Sequence, residues 1–212
     1  MRRSVTPLLL VLLACTTVVS AGAHAQAMSG HTMSSPMDRT AAPSALTPEL
    51  ASVKAALSKY TDVTTALRDG YLSTVGCIDF SRGATEGAIS YPPGAMGVHF
   101  LNMGNVGPKL DPMKPQILIY APVNGKLQLA GAEWFVPVQA AGGKAPVIFG
   151  QTLAGPMDGH QPIMPKGLRH YDLHAWLWKS NPKGVFTSTN AAVKCPAGSP
   201  YTYDLSDAQH HM

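Results

Sequence analysis

The sequence predicts an α+β fold: a mostly antiparallel, curved β-sheet with an N-terminal amphipathic helix packed on it and one disulfide. Three observations lead there. Apolar residues recur at helical spacing in one early stretch, the later patterns are those of short strands and turns, and a single cysteine pair brackets the strand-rich region. Glycine and proline, 20 and 18 of 212 residues, make up about 18% of the chain against a usual ~12%. That excess favours turns and long loops over a helical bundle.

Residues 1–25 carry the pattern of an export signal. Arg2 and Arg3 form a positive start, Leu8 to Leu13 an apolar core, and Ala23-His24-Ala25 a small-x-small cleavage site before Gln26. The apolar run is too short for a stable bilayer anchor. A periplasmic or secreted protein, cleaved after Ala25, is the expectation. Leu12-Leu13-Ala14-Cys15 loosely resembles a lipobox. The apolar segment before Cys15 is short, however, and apolar residues continue to Val19, so soluble export is preferred over a lipoprotein. A membrane partner follows only if Cys15 is lipidated. Without the signal, Lys plus Arg falls from 16 to 14 against 12 acidic residues, a net charge of +2. No Lys/Arg cluster remains, which argues against nucleic acid and leaves a metal ion or a small molecule as the expected partner.

Residues 26–46 are rich in Ala, Ser, Thr, Met and Pro without periodicity, the composition of a disordered tail. A single domain over residues 47–197 follows. Thr47 is a good N-cap, Pro48 suits the first helical position, and Glu49 favours the positive helix end. Leu50, Val53, Leu57, Tyr60, Val63 and Leu67 then share one helical face, and Asp69-Gly70 ends the helix.

Strand candidates come next: residues 97–103, 116–120, 126–136, 147–149 and 171–178. Asn124-Gly125 between the second and third is a strong hairpin signal, because both residues tolerate positive φ. In the last strand Leu173, Ala175 and Leu177 take one face and Asp172, His174, Trp176 and Trp178 the other. Cys77 and Cys195 remain once Cys15 is removed, and in an oxidising compartment they form one disulfide closing a loop of about 120 residues. A thiol ligand or nucleophile is the less favoured alternative. Residues 198–212 read as a C-terminal tail.

Several segments recur as a recognisable set. Met96-Gly97-Val98-His99-Phe100-Leu101-Asn102, Leu110-Asp111-Pro112, Gly131-Ala132-Glu133-Trp134-Phe135-Val136-Pro137 and Leu173-His174-Ala175-Trp176-Leu177-Trp178 stand beside Asn181-Pro182-Lys183-Gly184 and Cys195. Together they resemble an uncharacterised family of secreted bacterial proteins, over about residues 60–195. The resemblance implies no activity. It implies only that His99, Glu133 and His174 fall within the recurrent motifs.

Three features carry candidate chemistry. Imidazole and carboxylate, as in His99, Glu133 and His174, are usual ligands of zinc, iron and copper. All three lie in predicted strands. His170, four residues before His174, would be about 13 Å away along a strand at ~3.3 Å per residue, so it ranks lower. The competing account is a buried polar cluster in which Glu133 accepts hydrogen bonds from both histidines.

Methionine is the second feature. Met96, His99 and Met103 share their spacing with Met157, His160 and Met164, and the N-terminal tail adds Met28, His31, Met33 and Met37. The C-terminal end adds Asp207, His210, His211 and Met212. Thioether with imidazole suits copper(I). Met96 and Met103 read better as packing residues, whereas a solvated tail has no core for methionine to fill. The third feature, Trp134, Phe135, Trp176 and Trp178, fits an aromatic pocket wall or, preferably, a sheet core.

No Gly-x-Ser-x-Gly elbow, phosphate-binding glycine loop or His-Glu-x-x-His helix is present, and no catalytic residue is assigned. The reading is an exported protein that binds copper or zinc through His99, Glu133 and His174, aided by its Met/His tails. The alternatives are a small-molecule enzyme using the same three residues and a structural or partner-binding exported protein.

Overall fold

The structure is a computed structural model describing residues 45–162, 164–165 and 167–206. The signal-peptide reading, the tail residues Met28, His31, Met33 and Met37, and the C-terminal His210, His211 and Met212 lie outside the described residues.

Helix α1 spans Pro48–Leu57, capped by Thr47, whose Oγ1 accepts from Leu50 N at 3.2 Å. Leu50, Val53 and Leu57 are its buried residues. The single helix expected to run to Asp69 does not form. A 3₁₀ turn at Ser58–Thr61 intervenes before α2, Val63–Arg68. The break has a local cause: Asp62 is extended, with φ −87° and ψ 107°, and its carboxylate takes both Thr64 N and the Thr65 hydroxyl at 2.9 Å. Leu67, placed on the buried face by periodicity, is 45% exposed as a result.

Eleven strands follow among the described residues: β1 Leu72–Phe80, β2 Ala84–Glu86, β3 Ile89–Tyr91, β4 Gly94–Leu101, β5 Ile117–Val123 and β6 Lys126–Pro137. The rest are β7 Val147–Ile148, β8 Gln151–Thr152, β9 Ala154–Met157, β10 His170–Ala175 and β11 Thr202–Asp204. Seven build one curved sheet in the order β11-β1-β4-β5-β6-β10-β9, antiparallel at every pairing except β11 on β1. β2–β3 and β7–β8 are separate small hairpins. Asn124 (φ 50°) and Gly125 (φ 72°) turn β5 into β6.

Side chains alternate between two faces of the sheet, and both are buried at its centre. On one, Leu118, Tyr120, Trp134, Val136 and Leu173 pack with Leu50, Val53 and Leu57 of α1. Tyr120 OH donates to Tyr60 O at 2.7 Å, tying helical segment to sheet. On the other lie Ile117, Ile119, Phe135 and Trp176, with Val193 against them.

Two expectations change here. The C-terminal tail does not begin at residue 198, because Thr202–Asp204 pairs with Cys77–Asp79 and Cys77 N donates to Tyr201 O at 2.8 Å. The Cys77–Cys195 disulfide, spanning 118 residues, holds this segment beside β1. The last strand ends at Ala175 rather than Trp178, since Trp176 N turns away to Val185 O at 2.9 Å. Trp178 therefore leaves the His174 face and packs against the helix-side core.

Candidate metal centre

Strand register sets the centre. Glu133 pairs directly with His174 of β10 on one side and with Ile117 of β5 on the other, while His99 of β4 pairs with Ile119. Asp172 and His170 follow on the His174 face at two-residue intervals. Two glycines permit the close strand approach two residues before His99 and Glu133. A Cβ on Gly97 (φ +85°) would sit 2.6 Å from Tyr120 O, and one on Gly131 would sit 2.7 Å from Ala175 O.

His99, Glu133 and His174 each offer a ligand atom, and these atoms lie within 4.8 Å of one another. Glu133 Oε2 is 3.1 Å from His99 Nε2 and 3.4 Å from His174 Nε2. The three residues are 6%, 3% and 2% exposed. Despite those separations neither contact is a hydrogen bond. Glu133 Oε2 and both ring nitrogens of His174 have no hydrogen-bond partner, nor has His99 Nδ1. Lone pairs thus converge without being aimed at each other's protons, an arrangement that costs free energy in a buried site unless a further group satisfies it. The donor set fits a small transition-metal cation at the point of convergence, with two imidazoles and one carboxylate as ligands.

Burial pushes His99 down to about 4, Asp172 working in the opposite direction. Its ring is neutral at physiological pH, the form that ligates. Burial raises Glu133 to about 7, with His174 opposing the rise. Burial also works against the charges on Asp172 and His170, but their mutual attraction outweighs it: Asp172 stays below its ordinary value and His170 above. Asp172 Oδ1 lies 3.9 Å from His174 Nδ1, and Oδ2 lies 3.7 Å from His170 Nε2. Asp172 thus lies behind His174, on the side where a carboxylate often stands behind a metal-bound imidazole, but beyond hydrogen-bond distance of Nδ1.

The remaining candidates disperse. His170 is held by Leu168 O at 2.9 Å through Nδ1 and tilts against Phe135, ring centroids 4.7 Å apart. Met96 and Met157 are core residues in a cluster with Ile78, Phe80 and Tyr91. Met157 Sδ accepts from Tyr91 OH at 3.2 Å. Met103, read as a packing residue, is instead 67% exposed, because Asn102 Oδ1 caps a 3₁₀ turn at Met103–Asn105 and lifts it off the sheet. The sequence marks His160 only through its methionine spacing. Its ring lies 6.5 Å from that of His170, its Nε2 is unpartnered, and burial lowers it to about 4. The aromatic set divides: Trp176 stacks on His174 at 6.3 Å, whereas Trp134 faces the helix-side core.

Comparison with protein-family models, curated proteins and solved structures finds no match.

Proposed function

We propose that the chain binds one transition-metal ion, zinc or copper, through His99, Glu133 and His174, and exchanges it as a carrier rather than turning over a substrate. The observation that carries this reading is the convergence of unpartnered, buried imidazole and carboxylate atoms within 4.8 Å. A hydrogen-bonded cluster would have used those atoms on each other. The two-imidazole, one-carboxylate set suits zinc and copper(II), and the Met/His residues Met28, His31, Met33 and Met37 would supply the softer donors copper(I) prefers. The Cys77–Cys195 disulfide supports an oxidising compartment, in keeping with export after Ala25.

Three protein ligands leave a coordination position open, and a cavity of about 530 Å³ reaches His174. That cavity favours a second reading, in which the same centre acts on a small molecule with His174, the one of the three that lines the cavity, as general base. Elemental analysis of the purified full chain, compared with His99→Ala and His174→Ala, tests the centre. One equivalent of zinc or copper in wild type, lost in both folded variants, is the expected result. Absence of metal after incubation with zinc and copper(I) would sink the reading. Deleting residues 26–44 then separates the roles: a carrier loses metal uptake, while an enzyme keeps its centre.

A further inference from the structure

The cavity beside the centre has a character of its own. Asp172 and His174 line it, with apolar walls that include Ile89, Leu153 and Phe186. Its volume is in the range of small-molecule sites, roughly 300–1,000 Å³, and far exceeds what a bare ion needs. Among the described residues Asp172 is the only charged side chain in the lining, and it is 4% exposed. Its nearest cationic partner, His170, lies outside the lining, and neither the 3.7 Å nor the 3.9 Å separation to the flanking imidazoles is within hydrogen-bond reach. The carboxylate therefore takes no hydrogen bond from either imidazole, and its residue lines the cavity. Glu133 and His99 do not line it, so an occupant touches the outer groups and not all three proposed ligands.

We propose that this cavity binds a small organic cation, a primary ammonium head on a short apolar body, with the head donating to Asp172 Oδ1. The apolar body takes the place of water against Ile89, Leu153 and Phe186, and the head meets the one charge the cavity presents. An anionic head would meet a buried carboxylate with no Lys or Arg among the described residues of the lining to offset it. The site stands on the cavity and Asp172, independently of whether metal is bound.

Ala154 pairs in register with Asp172 and lines the cavity, so Ala154→Trp would fill the cavity beside Asp172 without replacing a proposed ligand. Ala88→Trp narrows the cavity from another part of the lining and serves if the first variant does not fold. The test is titration of the zinc-treated full chain with n-butylamine, 1-butanol and butyrate, read by amide chemical shifts. Butylamine should bind about tenfold or more tighter than butanol, the difference a charge-assisted hydrogen bond makes, and butyrate weakest. Ala154→Trp should abolish the shifts, and Asp172→Asn should level amine and alcohol. Equal affinity of wild type for amine and alcohol, or amine binding unchanged by both tryptophan variants, would overturn the proposal. Zinc content of the same samples separates it from the metal reading. Amine selectivity without zinc sinks only that reading, and zinc without amine selectivity sinks only this one.

Discussion

The two faces of the central sheet are made from the same strands yet obey opposite rules. Toward α1, β6 and β10 present Trp134, Val136, Leu173 and Ala175, all buried and apolar. Toward the other side, beside the apolar Phe135, the alternate residues are Glu133, Asp172, His174 and His170, equally buried and ionisable. A strand buried on both faces ordinarily reads as a continuous apolar run. Here each residue of the centre is flanked in sequence by a residue of the core, Glu133 by Trp134 and His174 by Leu173. The helix-side face supplies the hydrophobic stabilisation, and that surplus lets the opposite face hold unpartnered polar atoms.

The sharpest way to break that division is Trp134→Ala. Trp134 is fully buried, donates its indole N–H to Asp111 O at 3.1 Å and meets Phe149 edge-on at 4.7 Å. Truncation should cost about 3–5 kcal/mol in chemical denaturation, while the folded fraction keeps its metal stoichiometry. Loss of metal from folded Trp134→Ala would show that the faces are one unit.

A smaller effect of opposite sign separates them further. In chelated protein, burial lifts the Glu133 carboxyl from the ordinary glutamate range, about 4.5, to about 7. The folded state then holds a proton that the unfolded state releases, so the contribution of Glu133 to stability falls as pH rises from about 4.5 to 7 and is flat above. Glu133→Gln removes that loss. Metal-free Glu133→Gln should be more stable than metal-free wild type at pH 8, by about 2–3 kcal/mol, with the gap shrinking as pH drops toward 4.5. With zinc added, wild type should be the more stable of the two. Equal pH profiles would mean that Glu133 is already satisfied without metal.

The unequal legibility of the fold follows from the same alternation. The hairpin at Asn124-Gly125 and the strands around it could be read because turn chemistry and strand pattern agree there. The start of α1 could be read from Thr47 and Pro48, but its interruption could not, since Asp62 acts through its backbone conformation and two local hydrogen bonds. Strand β1 is obscured by a register shift between Ser73 and Cys77, where Val75 takes φ 70°. Strand β11 has only three residues and depends on a partner more than a hundred positions away. For the centre, the sequence names His99, Glu133 and His174 as ligand types in strands. Their convergence depends on β4, β5, β6 and β10 lying side by side, a non-local fact. The two-residue spacing puts Asp172 between His170 and His174 on one strand face, but that all three are buried is something no spacing encodes.

Asp172→Asn asks whether the polar face is organised beyond its three innermost members. The substitution keeps the size of the side chain and removes its charge. If the carboxylate steadies His174 through Nδ1, losing it should weaken zinc binding by about tenfold, ~1.4 kcal/mol, the low end for groups behind a ligand. The low end is appropriate because the Oδ1–Nδ1 separation is 3.9 Å rather than a hydrogen bond. Competition against a zinc chelator of known affinity measures the loss directly. Phe135→Leu supplies the control, since Phe135 packs against His170 on the same face and carries no charge. Weakening confined to Asp172→Asn would mark an electrostatic shell around the centre. Equal weakening in Phe135→Leu would instead mean that packing alone positions His174, and the polar face would then obey the same rule as the apolar one.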